Sequence, residues 1–125
     1  VEVEALAKIR TNTIYIHLKT LTQREYQKNY RVHLHEGFGM DALSFTARLT
    51  VKRSKYNAAA ISENVCHFAG FTDRVIPLSF EGWKNSPSHW EAMMAEDIDH
   101  ISLHYKESDI GIIAVMILFI KSKNR

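Results

Sequence analysis

Toward the end of the chain, Ile110-Gly111-Ile112-Ile113-Ala114-Val115-Met116-Ile117-Leu118-Phe119-Ile120 runs without a single charged or strongly polar side chain. Such a run has to be covered on both faces. It is shorter than the roughly 20 residues a membrane-crossing helix needs, and Gly111 interrupts it, so it reads as a buried strand over Ile112 to Ile120. Just before it, Ile101, Leu103 and Tyr105 alternate with Ser102, His104 and Lys106. That period of two predicts a half-buried strand with the apolar set inward, and the turn at Glu107 to Gly111 makes the two strands a hairpin.

The sequence ahead of this hairpin is mainly helical. Val1 to Leu21 has no Gly or Pro, and Leu6, Ile9 and Thr13 recur at helical spacing, although Thr11 to Ile16 is rich in β-branched residues. Thr22 followed by Glu25 is a capping box that opens a second helix, with Tyr26, Tyr30, His33 and Leu34 on one face and Gly37 and Gly39 to stop it. Asp41 caps a third, to about Ser54, and Tyr56 to Ile61 is a small-residue linker leading to a short strand at Asn64 to His67. Thr72 or Asp73 opens a helix with a core stripe of Ile76, Phe80 and Trp83, in which Pro77 fits only the first turn. A last helix runs from Ser86 to about Glu96 and buries Met93. Helices followed by a doubly covered hairpin predict an α+β fold: a three-layer α-β-α sandwich around a small antiparallel sheet.

At 125 residues and 14.4 kDa the chain suits one core, so residues 1–125 are read as a single domain. The net charge of +2 is dispersed. Its densest basic piece, Arg48 to Lys55, lacks glycine or aromatic patterning and reads as a solvated helix face, which argues against nucleic acid as a partner. One cysteine, Cys66, excludes an internal disulfide. The chain begins at Val1 without methionine and shows no charged-then-apolar leader, as expected of a processed form.

Two short pieces carry the chemistry: Ser62-Glu63-Asn64-Val65 and Trp83-Lys84-Asn85-Ser86-Pro87-Ser88-His89. Ser86 suits a helix N-cap, Pro87 the first helical position and His89 the third, where the helix dipole disfavours imidazolium and leaves a neutral ring able to accept a proton or bind a metal. The two pieces are expected to wall one cleft. Ser86 and Ser88 do not make a serine hydrolase, because no Gly-x-Ser-x-Gly elbow is present. Cys66 and His67, as strand neighbours, point to opposite faces and make no nucleophilic dyad. His17, His67, His100 and His104 are dispersed, and Trp83, Trp90, Met93 and Met94 read as core.

A Glu-Asn-Val step, an aromatic-ended helix, Trp-x-x-Ser-Pro-x-His and an aliphatic strand pair, in that order, resemble the CAP superfamily of cysteine-rich secretory, antigen 5 and pathogenesis-related proteins. The resemblance spans about Tyr56 to Ile120. It implies a cleft of two histidines and two acidic residues that in some members binds a divalent metal. Residue by residue, it assigns His89 as the second histidine, Glu63 as the first acid and His35 as the first histidine, with His33 the alternative. Ser86 stands where the second acid is expected, so the cleft is degenerate. Trp83, Asn64 and Ser86 take structural roles. His35, Glu63 and His89 would make a zinc set with an open fourth position, but the preferred reading is a hydrogen-bonded Glu63–His89 pair with no cofactor and no tight metal.

A chain with a lone cysteine resembles the bacterial type of this family, secreted or on the outer cell surface, such as a spirochaete outer-membrane lipoprotein whose anchor lies outside the chain. The leading expectation is therefore an extracytoplasmic binding module for a protein or lipid ligand, host ligands included. The alternatives are a metal-dependent hydrolase or peptidase, and a sterol- or fatty-acid-binding protein with an apolar groove between helices.

Overall fold

The computed structural model describes residues 2–35, 38, 58–70, 73–96, 98 and 100–121. The expected helix from Asp41 to Ser54, and the basic piece from Arg48 to Lys55, lie outside the described residues. Among those described, helix α1 (Glu2–Lys19) is followed by α2 (Gln23–Lys28), α3 (Tyr30–Leu34), β1 (Ala58–Phe68), α4 (Val75–Lys84), α5 (Pro87–Met94), β2 (His100–Ser108) and β3 (Gly111–Lys121). The fold is thus mixed helix and strand, with a three-stranded antiparallel sheet ordered β1-β3-β2.

The aliphatic run is the central strand, and its alternation explains why it carries no polar residue. Ile113, Val115 and Ile117 pack with Leu6, Ala7, Ile14 and Leu18 of α1 and with Val65 of β1. The intervening residues point the other way: Ile112 and Ala114 meet Val75 of α4, and Met116 and Leu118 meet Trp83. Each face of β3 is therefore buried by a different set of helices. The hairpin turn at Asp109 and Ile110 ends on Gly111, whose φ of 109° lies in the left-handed region, and a Cβ there would sit 1.9 Å from the Phe68 carbonyl oxygen. Only glycine fits that close approach.

Helix α1 forms despite its β-branched stretch. Thr11 and Thr13 donate their hydroxyls to the Lys8 and Ile9 carbonyls, which satisfies them within the helix. Its buried stripe is Leu6, Arg10, Ile14 and Leu18, with Ala7 and Thr11 beside it. The Thr22–Glu25 capping box is present: the Glu25 N–H donates to Thr22 Oγ1 at 3.1 Å and the Thr22 N–H to Glu25 Oε1 at 2.8 Å. The helix it opens breaks at Asn29, whose φ of −150° and ψ of 49° separate α2 from α3.

Four local expectations are corrected. Ala58 to Ile61 is not linker but the first part of an eleven-residue β1, paired with the far end of β3 from Ala58 opposite Lys121. The expected stripe of α4 holds at Trp83, with Phe80 packed beside it, but fails at Ile76, which is exposed; Val75 and Ser79, one position earlier, are the buried residues there. That helix begins at Val75 with Arg74 as its N-cap and no side-chain cap, so Asp73 does not open it; Pro77 does fall in the first turn. Most consequentially, β2 is turned over: Ser102 is buried, whereas Ile101, Leu103 and Tyr105 are 56%, 39% and 42% exposed. The reason is that α1 lies against β2 and β3, while α4 packs on β3 and β1, so the helix that covers β2 is on the side of its polar residues. Ser102 meets α1 by accepting the Ala7 N–H at 3.1 Å.

Candidate functional site

Glu63 and its partners form the polar centre of the molecule. On β1, Glu63 and Val65 face the α1 side, and the period-two alternation turns Asn64 and Cys66 toward α4. Arg10 is fully buried in the α1 stripe and grips Glu63 with a fork: Nε donates to Oε2 at 2.5 Å and an Nη to Oε1 at 3.1 Å. His35 at the end of α3 completes the carboxylate, its Nδ1 lying 2.8 Å from Oε1. A carboxylate accepts only, so Nδ1 carries the hydrogen and Nε2 is the free position of the neutral ring. The Phe38 ring lies 5.4 Å from the Arg10 guanidinium and adds a cation–π contact to the same cluster. A guanidinium and a carboxylate buried this deeply hold only when paired this fully.

Along β1, an outer strand of the described sheet, runs a cleft of about 350 Å³. One wall is α3, with Tyr30, Arg31 and His35; the other is the α4–α5 corner, with Trp83, Ser86 and His89. His35 and His89 therefore line the same cleft, and Glu63 reaches it through His35. No contact joins Glu63 to His89 among the hydrogen bonds described. His89 instead sets Nδ1 at 2.8 Å from Ser86 Oγ. The Ser86 residue holds the N-cap position of α5 with Pro87 next, as expected, but its hydroxyl makes no cap bond to a helix N–H. It serves the imidazole instead. Burial first, then the His35 and Arg31 charges, hold His89 below the ordinary imidazole value.

Asn64 ties β1 to the α4–α5 wall, donating from Nδ2 to the His89 carbonyl in a long contact of 3.4 Å. Trp83 is 1% exposed, and its Nε1–H finds no hydrogen-bond partner among the described residues. Cys66 also lines the cleft, and burial raises its thiol pKa, with the Ser79 hydroxyl opposing that shift. Such a thiol is a poor nucleophile at neutral pH. His33, the alternative first histidine, points elsewhere: its Nδ1 lies 2.9 Å from His17 Nε2 on α1.

Each Glu63 oxygen already accepts a hydrogen bond from Arg10, and Oε1 a second one from His35, so a metal at this carboxylate would have to share it with the buried ion pair. The site residue that sequence reasoning missed is Arg10. Its signal was there, as a lone arginine spaced by four between Leu6 and Ile14, the position of a buried stripe that only a carboxylate partner makes tolerable.

No family model, curated protein or solved structure matches this chain.

Proposed function

We propose that this chain is an extracytoplasmic CAP-like binding module of a bacterial surface or secreted protein, a three-layer α-β-α domain over residues 1–125 whose His/Glu cleft receives a partner and does no hydrolysis. The observation that carries this reading is the state of Glu63. A carboxylate that was to hold a metal or activate water has to face the cleft, and here Glu63 is buried, accepts from Arg10 on both oxygens and from His35 on Oε1, and meets the cleft only through His35. Ser86, where the resemblance expects a second acid, gives its hydroxyl to His89. What the cleft offers is the Arg31 guanidinium beside two imidazole rings, a cation complementary to an anionic group on a protein or lipid partner. Two sets of helices burying opposite faces of β3 support the three-layer arrangement. The location rests on the resemblance and the single cysteine.

Calorimetric titration of the intact chain with zinc tests the reading. The expected result is no tight one-to-one binding. Tight binding that disappears in both His35→Ala and His89→Ala would put the metal-dependent hydrolase in its place.

A further inference from the structure

A second cavity, of about 480 Å³, has walls that include Leu18, Leu21, Tyr26, His67, Ala69 and Ile110, and it shares no lining residue with the His35–His89 cleft. Its volume lies in the range of pockets that enclose small organic ligands. Its apolar surface comes from the end of α1, the turn after it, the end of β1 and the hairpin turn. Thr22, Gln23 and Gln27 are the other described lining residues, and among the described residues no lysine, arginine or carboxylate faces the space.

One polar relay is built into the wall. His67 Nε2 lies 2.7 Å from the Ile110 carbonyl oxygen, and His67 Nδ1 lies 2.7 Å from the Tyr26 hydroxyl. A carbonyl can only accept, so Nε2 carries the ring hydrogen. In the neutral ring Nδ1 is then a bare lone pair, and the phenol must donate to it. The single Tyr26 hydrogen is thereby committed, and the phenol oxygen keeps acceptor capacity alone.

We propose that this cavity binds a small neutral amphiphile, an apolar molecule that donates one hydroxyl or amide hydrogen to the Tyr26 oxygen, and that it rejects the matching carboxylate. An alcohol completes the relay: ligand O–H to Tyr26 oxygen, Tyr26 O–H to His67 Nδ1, His67 Nε2–H to the Ile110 carbonyl. An ionised carboxylate has only lone pairs to present. It would set acceptor against acceptor, with no fixed cation among the described lining residues to offset its desolvation. The site goes beyond the cleft proposed above and stands or falls independently of it.

The experiment is calorimetry of the intact chain with 1-octanol and with octanoate, which share a chain length and differ in the head group. Octanol is expected to bind at least about tenfold more tightly, the ratio one favourable hydrogen bond supplies. In Tyr26→Phe the preference should shrink to within about twofold, because the acceptor is gone while the walls remain. Wild-type protein gives a second readout: the His67 ring resonances should shift on adding octanol and stay in place with equal octanoate. Octanoate binding as tightly as octanol, no saturable octanol binding, a preference retained in Tyr26→Phe, or a silent His67 would each overturn the proposal.

Discussion

The two faces of the sheet solve burial in opposite ways. On the α1 face, polar groups are buried and partnered: Arg10 with Glu63, Glu63 with His35, Ser102 with the Ala7 N–H. On the other face, Trp83, Met116 and Leu118 make an apolar contact in which the indole N–H is left without a partner among the described residues, and β2 keeps Ile101, Leu103 and Tyr105 partly in solvent. The contrast shows that coverage, not the polarity of a strand face, decides what is buried. A helix carrying hydrogen-bonding groups in its own stripe can bury a polar strand face, and a strand face that its helix covers only in part leaves apolar side chains half wet.

Arg10→Met is the strongest way to break this contrast. It leaves the Glu63 carboxylate buried against His35 alone, and the expected loss is about 3–5 kcal/mol in urea unfolding. The double variant Arg10→Met with Glu63→Gln removes the stranded charge and should recover a large part of that loss. A double variant no better than the single would mean that the fork contributes through packing and not through charge pairing. Next in size is Ile117→Ala, which empties the fully buried α1 face and should cost about 2–5 kcal/mol. Leu103→Ala on the neighbouring strand should cost about 1 kcal/mol or less, since its side chain is already partly exposed. Similar losses at the two positions would show that the outer face of β2 is covered after all.

How far the sequence disclosed this follows from where each signal acts. The burial of β3 was legible because a strand covered twice needs no partner-dependent choice: every side chain from Ile112 to Leu118 is apolar and buried. The Thr22–Glu25 box was legible because capping is local to four residues. The side of β2 that faces inward was not, since alternation gives two faces and only the position of α1 picks between them. Arg10 was hidden for a similar reason. Its partner lies 53 residues away, on a strand whose start was read as linker. His35 and His89 were singled out by motif and do line one cleft, but the bonds that define their chemistry, to Glu63 and to Ser86, depended on rotamers that spacing does not specify.

Each face also carries one imidazole that resists protonation. Burial, then the His35 and Arg31 charges, lowers the His89 pKa; burial, then Lys8 and Lys106, lowers that of His104. In the unfolded chain both return to about 6.5, so below that pH the unfolded state binds protons that the folded state refuses. Their contribution is fully present above about pH 6.5 and is lost as the pH falls through the lower folded values. Urea midpoints should therefore decline on mild acidification, before carboxylates titrate. His89→Gln and His104→Gln should each flatten part of that slope, and an unchanged slope in both would remove these two rings as its source.

The smallest effect is expected at Ser86, and it bears on which wall of the cleft governs His89. An N-cap serine that accepts a helix N–H is worth about 1 kcal/mol, but here the hydroxyl faces His89 Nδ1 and makes no such bond. Ser86→Ala should then cost less than that typical value while changing the imidazole's titration, followed by its ring resonances in NMR. Ser86→Asp sharpens the point, because it places a carboxylate beside His89 where the resemblance expects an acid. An adjacent negative charge favours imidazolium, so the His89 pKa should rise in that variant, against the present pull of burial, His35 and Arg31. A full cap-sized loss of stability in Ser86→Ala, with the His89 titration unmoved in both variants, would return Ser86 to a purely helical role and leave α3 alone in control of the ring.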